Sequence, residues 1–258
     1  TVICNAAREP EILDLQCYLR KLGADISGAG TSTVTVSGFR PQPFVEHTIM
    51  PDRIVAATIL CAGAACGGDV ELQGVDPEHF LTVLDSLSET GCAIIKTAST
   101  VRLTSTGRLT APRPVVTQPY PGFPTDMQSA FLTLAAAAEG KSVLEETIFE
   151  SRLSLAEELN RMGAGILVCG RRAEIPGGAR LHGASVRGSD LRSTSALALA
   201  ALMAEGESRV EGWEHAERGY ESFTEILSEL GGMIRKETEK EENSKVLKNE
   251  TEEPKVLL

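Results

Sequence analysis

The chain has 258 residues, a net charge of −11, an apolar share of 42% and aromatic residues at only 4%. That length buries a sizeable core as one large domain or two small ones, and with so few rings the core must come from Ala, Leu, Ile, Val and Gly. The acidic balance excludes a nucleic-acid partner, no apolar run reaches the length of a membrane span, no secretory signal opens the chain, and four scattered histidines without metal-ligand spacing give no metal site.

In chain order, "EPEILDLQCYLRKLGADIS" reads as an amphipathic helix stopping at Gly23, and "STVTVSG" as a strand. Between them "SGAGTS" is rich in glycine but lacks the Lys-Ser/Thr of a phosphate-binding loop, so it reads as a turn. From Pro51 onward one pattern occurs three times: "PDRIVAATILCAGAACGGDVEL", "TDMQSAFLTLAAAAEGKSVLEE" and "SDLRSTSALALAALMAEGESRVEG". Each copy opens on a turn residue and Asp, runs through a small-residue apolar helix, stops at Gly67, Gly140 or Gly206, and continues as a strand. A second, amphipathic helix follows in each: "FLTVLDSLSETGCAI", "LAEELNRMGAGI" and "ESFTEILSELGGMI". The first helix of each pair is apolar nearly all round and belongs inside; the second belongs outside. The fold class is α/β, with further strands such as "STVRLTS" completing the sheets.

Residues 1–39 match only the latter half of this unit, so its inner helix is expected upstream of Thr1. Residues 1–46 then read as the partial last unit of one lobe, 47–236 as a second lobe of three repeats, and 237–258, "ETEKEENSKVLKNETEEPKVLL", as a charged disordered tail. The six cysteines form no CxxC pair and four lie in apolar segments, which predicts buried, reduced thiols and a cytoplasmic setting.

Asp52, Asp126 and Asp190 hold one equivalent position, the start of an inner helix, where the dipole stabilises an acid by about 0.3–1 kcal/mol. Thr125 with Gln128 spells a T-x-x-Q capping box, which would leave the Asp126 side chain free; Ser189 could do the same for Asp190. Asp126 is therefore either a helix-start acid or a base. Arg152, Arg192 and Arg218 all lie near helix beginnings or strand-to-helix turns. Their guanidinium groups either converge on an anion or pair with surface glutamates.

Several blocks in register closely resemble bacterial UDP-N-acetylglucosamine enolpyruvyl transferases: "NAAREPEI" at 5–12, "PDRI" at 51–54, "PYPGFPTDMQ" at 119–128, "FESR" at 149–152, "ELNRMGA" at 158–164, "DLRS" at 190–193 and "RGYE" at 218–221. The resemblance implies two lobes, each an inside-out α/β barrel of three units, of which this chain holds one nearly complete lobe and a partial unit of the other. It implies transfer of the enolpyruvyl group of phosphoenolpyruvate to the 3-hydroxyl of UDP-N-acetylglucosamine, with no cofactor, by a cytoplasmic monomer in the first committed step of peptidoglycan synthesis. That step serves cell-wall biogenesis, cell shape and division. Asp126 matches the family aspartate at the 3-hydroxyl, Ile148 a residue lining the nucleotide-sugar site, Arg192 and Arg218 the phosphoenolpyruvate arginines, and Arg152 an arginine beside them. The family usually has Asn at Ser151, Phe at Leu153, His at Leu155 and Glu at Val55 and Cys4. The family's Lys-Asn motif and cysteine-bearing loop have no counterpart here, and the chain alone is expected to be inactive. Two alternatives share these features: a 5-enolpyruvylshikimate-3-phosphate synthase-like enzyme, and a non-catalytic nucleotide-sugar-binding paralogue.

Overall fold

The computed structural model describes residues 1–237 and 255–257. Residues 1–39 form β1 (Val2–Cys4), α1 (Pro10–Lys21), β2 (Ala24–Ser27) and β3 (Thr33–Phe39). The first repeat follows as α2 (Arg53–Cys66), β4 (Asp69–Gln73), α3 (Leu81–Glu89), β5 (Ala93–Lys96) and β6 (Thr100–Thr104). The second comprises β7 (Val115–Val116), α4 (Gln128–Ala137), β8 (Ser142–Glu145), α5 (Leu155–Arg161), β9 (Leu167–Cys169) and β10 (Arg172–Ile175). The third comprises β11 (Ser185–Arg187), α6 (Leu191–Met203), β12 (Arg209–Glu211), α7 (Trp213–Glu217), α8 (Phe223–Glu229), β13 (Arg235–Glu237) and β14 (Lys255–Leu257).

The inner helices α2, α4 and α6 pack on one another at the centre, and each also packs on the strands of its own sheet. Helices lie inside and sheets outside. Composition makes this possible, because Ala, Gly, Ser and Thr fill the helix surfaces and allow backbones to approach closely. Gly63 on α2 is the tightest instance: a Cβ there would sit 2.7 Å from Val70 Cγ2 on β4. Residues 54 and 56–65 of α2 and 128–136 of α4 are all buried, as an all-round apolar helix requires. The outer helix α3 buries only Val83, Leu84 and Leu87.

The repeat is visible in strand order. Four sheets carry the orders β1-β3-β2, β4-β6-β5, β7-β8-β10-β9 and β11-β12-β14-β13; in each, the strand latest in the chain lies between two others and antiparallel to both, and β7 and β11 add parallel edges. Two corrections follow. The first unit contributes a strand before its helix as well as after it, so residues 1–39 hold more of the repeat than the sequence pattern indicated. Residues 255–257, expected within a disordered tail, form a strand that pairs between β12 and β13 in the sheet of the third repeat; residues 238–254 and 258 lie outside the described residues. Among the described residues no inner helix of the α2 type covers the first sheet, and Val2, Ile3, Leu13 and Leu15 are exposed.

The cysteines also differ from expectation. Only Cys61 and Cys92 are buried, and burial pushes the Cys61 thiol far above the usual range, with Cys92 adding to it. Cys4 and Cys169 are exposed because they sit on edge strands, and Cys66 because it ends α2.

The three equivalent acids part ways at the helix starts. The Asp52 side chain caps α2, accepting from the N–H groups of Ile54 at 2.8 Å and Val55 at 3.0 Å. Asp190 caps α6, accepting from Arg192 N at 2.7 Å and Ser193 N at 2.9 Å, and the Ser193 hydroxyl closes the box on the Asp190 N–H. The cap is thus the aspartate itself and not Ser189. Asp126 caps nothing. A single 3-10 turn, Thr125–Met127, leads into α4, and the expected T-x-x-Q box is not formed. The reason is local: the Thr125 oxygen, which would have to accept a backbone N–H, accepts instead from Arg152 Nη1 at 3.0 Å, while its proton goes to the buried Glu146 carboxylate at 2.7 Å. Asp52→Ala is therefore expected to lower unfolding free energy by about 1 kcal/mol in a urea titration, an unchanged midpoint counting against the cap.

Candidate functional site

The segment before Asp126 is braced by its own backbone. Gly122 N–H donates to Pro119 O at 2.9 Å and Gln118 N–H to Phe123 O at 2.9 Å. Phe123 is buried edge-on against Phe131 of α4, with ring centroids 4.9 Å apart. The loop therefore arrives at α4 in a fixed position, carrying Asp126 with it.

Asp126 Oδ1 accepts two hydrogen bonds, from Arg152 Nη1 at 3.2 Å and from Arg192 Nε at 3.2 Å. Among the described residues Oδ2 takes none. The side chain of Asp126 is 36% exposed, those of Arg152 and Arg192 18% and 16%, so a carboxylate with one free oxygen opens to solvent between two largely buried cations. On the solvent side two guanidinium groups face one carboxylate, the Glu146 carboxylate being buried behind Thr125, within a chain of net charge −11. An anionic ligand would meet this local charge and not the field of the whole molecule.

Different elements deliver the two arginines. Arg152 begins a 3-10 turn after β8; its Nη1 also donates to Thr125 Oγ1 at 3.0 Å, and its guanidinium lies 4.5 Å from the centroid of the Phe149 ring. Arg192 is the second residue of α6, and its Nη1 donates to the Tyr220 hydroxyl at 3.1 Å. Tyr220, buried, is also 3.1 Å from Thr58 Oγ1 on α2 and 3.4 Å from Ser195 Oγ on α6. Since Thr58 donates its own proton to Ile54 O and Arg192 can only donate, the phenol accepts from Arg192 and gives its proton to Thr58 or Ser195. Burial works against the Arg192 charge, but Tyr220 and Asp126 outweigh it and raise its pKa above the ordinary arginine value. Arg192 is a permanent cation.

The remaining sequence-derived candidates are less tightly joined. Ile148 lies in the loop after β8, 39% exposed, its N–H donating to Glu146 Oε1 at 2.7 Å. Arg218 does not open the outer helix as its sequence context suggested: it ends α7, and α8 starts only at Phe223. Its side chain is exposed and has no hydrogen bond or ion pair among the described residues. Its connection to the cluster is through the chain, since Tyr220, two residues on, touches Arg192.

Sequence reasoning missed two members of this network. Tyr220 lies inside the "RGYE" block, yet nothing in its spacing shows that the phenol reaches α2 and α6. Glu146 lies at the end of β8 beside another glutamate, a place that suggests a solvated charge; it is in fact 1% exposed. Among the described residues no group of three or more His, Cys, Asp or Glu could hold a metal ion, and no helix is long and apolar enough to cross a membrane.

Comparison with known proteins gives these residues a setting. The family described as EPSP synthase (3-phosphoshikimate 1-carboxyvinyltransferase) matches residues 1–227. UDP-N-acetylglucosamine 1-carboxyvinyltransferase 1 of Symbiobacterium thermophilum is 49% identical over 234 residues, 91% of this chain and 53% of that protein. The Koribacter versatilis enzyme named UDP-N-acetylglucosamine 1-carboxyvinyltransferase is 47% identical over 92% of this chain and 54% of its own length. The chain thus spans about half the length of the curated relatives it matches. Among solved structures, the enolpyruvyl transferase NikO from Streptomyces tendae superposes with a TM-score of 0.79 at 28% identity, covering 91% of this chain and 56% of that one. EPSP synthase from Acinetobacter baumannii, at 20% identity and a TM-score of 0.57 over 82% of this chain and 46% of its own, shares the fold. With the helices-inside repeat, the strand order and a family match over most of the sequence all in agreement, the chain belongs to the EPSP synthase family of enolpyruvyl (1-carboxyvinyl) transferases.

Proposed function

We propose that this chain is part of a UDP-N-acetylglucosamine 1-carboxyvinyltransferase, which moves the enolpyruvyl group of phosphoenolpyruvate to the sugar 3-hydroxyl in the first committed step of peptidoglycan synthesis. The observation that carries the reading is the Asp126 carboxylate, bracketed on one oxygen by Arg152 and Arg192 and free on the other. A sugar hydroxyl is far too weak an acid to attack unaided at neutral pH, so a positioned base must take its proton as the carbon–oxygen bond forms. Asp126 Oδ2 is that base. The donor brings a phosphate and a carboxylate, and the unused N–H groups of Arg152 and Arg192 together with the exposed Arg218 supply cations for them. The hydroxyl oxygen bonds to the carbon bearing the phosphate, the methylene carbon takes up a proton, and loss of that proton with expulsion of phosphate restores the double bond.

Ile148, partly exposed beside the cluster, lines the nucleotide-sugar side. The names of the relatives at 47–49% identity support the sugar nucleotide as acceptor; likeness to the shikimate enzyme at 20% extends to the fold alone. The reaction needs no cofactor. We place the enzyme in the cytoplasm as a monomer, serving cell-wall growth, cell shape and division.

The direct test is phosphate release by the full-length protein given UDP-N-acetylglucosamine and phosphoenolpyruvate; no release with both substrates present would end the proposal. In that protein Asp126→Asn should reduce kcat by about 10²- to 10⁴-fold. Its melting temperature should move little, because Asp126 caps no helix and the Asn oxygen can still accept from Arg152 and Arg192; a large drop would make it a structural residue. Arg218→Ala should raise KM for phosphoenolpyruvate more than for the sugar nucleotide without destabilising the fold, since no described group loses a partner. Equal weakening of both substrates would count against its role.

A further inference from the structure

The geometry assigns Glu146 as a positioning residue that sets the arginine beside the base, and this rests on the transferase reading above. Its carboxylate is buried and accepts four hydrogen bonds. Oε1 takes Thr117 Oγ1 at 2.9 Å, Ile148 N–H at 2.7 Å and Phe149 N–H at 3.0 Å; Oε2 takes Thr125 Oγ1 at 2.7 Å. A carboxylate offers about four lone-pair sites; here three donors share Oε1 and one takes Oε2. Among the described residues no cation touches it. A charge removed from water without an ion partner is tolerated only when such a set of donors replaces its hydration, so the cluster is committed to one arrangement.

That arrangement reaches the reactive carboxylate by two routes. On the first, Glu146 Oε2 draws the Thr125 hydroxyl proton toward itself, which leaves the Thr125 oxygen facing Arg152 as an acceptor, at 3.0 Å from Nη1. The same Nη1 holds Asp126 Oδ1 at 3.2 Å. On the second, Glu146 Oε1 grips the N–H groups of Ile148 and Phe149, and the Phe149 ring lies under the Arg152 guanidinium. Arg152 is thus located from one side by a hydroxyl and from the other by a ring, and a single buried carboxylate fixes both. Glu146 touches no reacting atom in this scheme; it acts through Thr125, Phe149 and Arg152.

Glu146→Gln separates the routes. Three donors already crowd the Oε1 side, so the Gln oxygen takes that place and its NH2 faces Thr125. The Thr125 hydroxyl then meets donors on both sides with no acceptor for its own proton; it turns away, and Arg152 loses that anchor while the 146–149 loop stays held. Misplacing a positioning group by about 1 Å costs up to roughly 10²-fold in rate.

In the full-length protein, Glu146→Gln and Thr125→Val should each lower kcat by about ten- to a hundredfold. KM for UDP-N-acetylglucosamine should shift less than about threefold, because ground-state binding is untouched. The double variant should be no worse than either single variant, since both break the same link, and Thr125→Ser, which keeps the hydroxyl, should restore turnover. A crystal structure of Glu146→Gln reads the positioning without any turnover and should show Arg152 withdrawn from Thr125 and Asp126. An unmoved Arg152, or kcat losses that multiply in the double variant, would overturn the assignment. If the unsubstituted protein is inert toward both substrates, the transferase reading fails by itself, and the position of Arg152 in the Gln variant still decides whether Glu146 sets it.

Discussion

Three apolar helices with small side chains meet at the centre of this chain, and the site exists because they do. Packing α2, α4 and α6 on one another brings their N-terminal ends to one region. Thr58 comes from α2, Asp126 from the turn entering α4, and Arg192 and Ser195 from α6, all joined directly or through Tyr220. A bulkier core would hold the helices further apart and pull these groups out of hydrogen-bond reach. The low aromatic content and the abundance of Ala are therefore conditions of the site as much as of the fold.

The cluster also sets its own electrostatic surroundings. Charges more than about 8–10 Å away are largely screened at physiological salt, so the net charge of −11 says little about the field at Asp126. On its open side the cluster presents two largely buried arginines around one partly exposed aspartate. Sharing Oδ1 between both guanidinium groups makes the aspartate directional: one oxygen is engaged and the other has no partner among the described residues.

Much of the fold was legible in the sequence because its signals are periodic. Three small-residue helices, each ending at a glycine and each followed by an amphipathic partner, specify helices inside and the order of elements. Strand order was not legible: in each sheet the strand latest in the chain inserts between two earlier ones, and pairing across that distance leaves no local mark. The three-residue strand at 255–257 lies beyond a charged stretch and carries too little pattern to be recognised. In the site, Asp126, Arg152 and Arg192 were found because they fall at marked positions in repeats and motifs. Glu146 was not, since a glutamate in "LEET" looks solvated until Thr117, Thr125 and two backbone N–H groups are folded around it.

The fate of the three equivalent aspartates shows how a repeat acquires a site. At α2 and α6 the aspartate serves its own helix, and each cap contributes about 1 kcal/mol. At α4 that contribution is forgone, because a 3-10 turn rotates Asp126 away from the helix end and toward the arginines. The Thr125 hydroxyl offsets the loss through its bond to an ionised, buried acceptor, a class of hydrogen bond worth about 1.5–3 kcal/mol. The same bond that replaces the missing cap is the one that orients Thr125 toward Arg152. Stability at this helix start and the placement of the Asp126 carboxylate are therefore one interaction, and the acid is free of the cap without leaving the helix end unsupported.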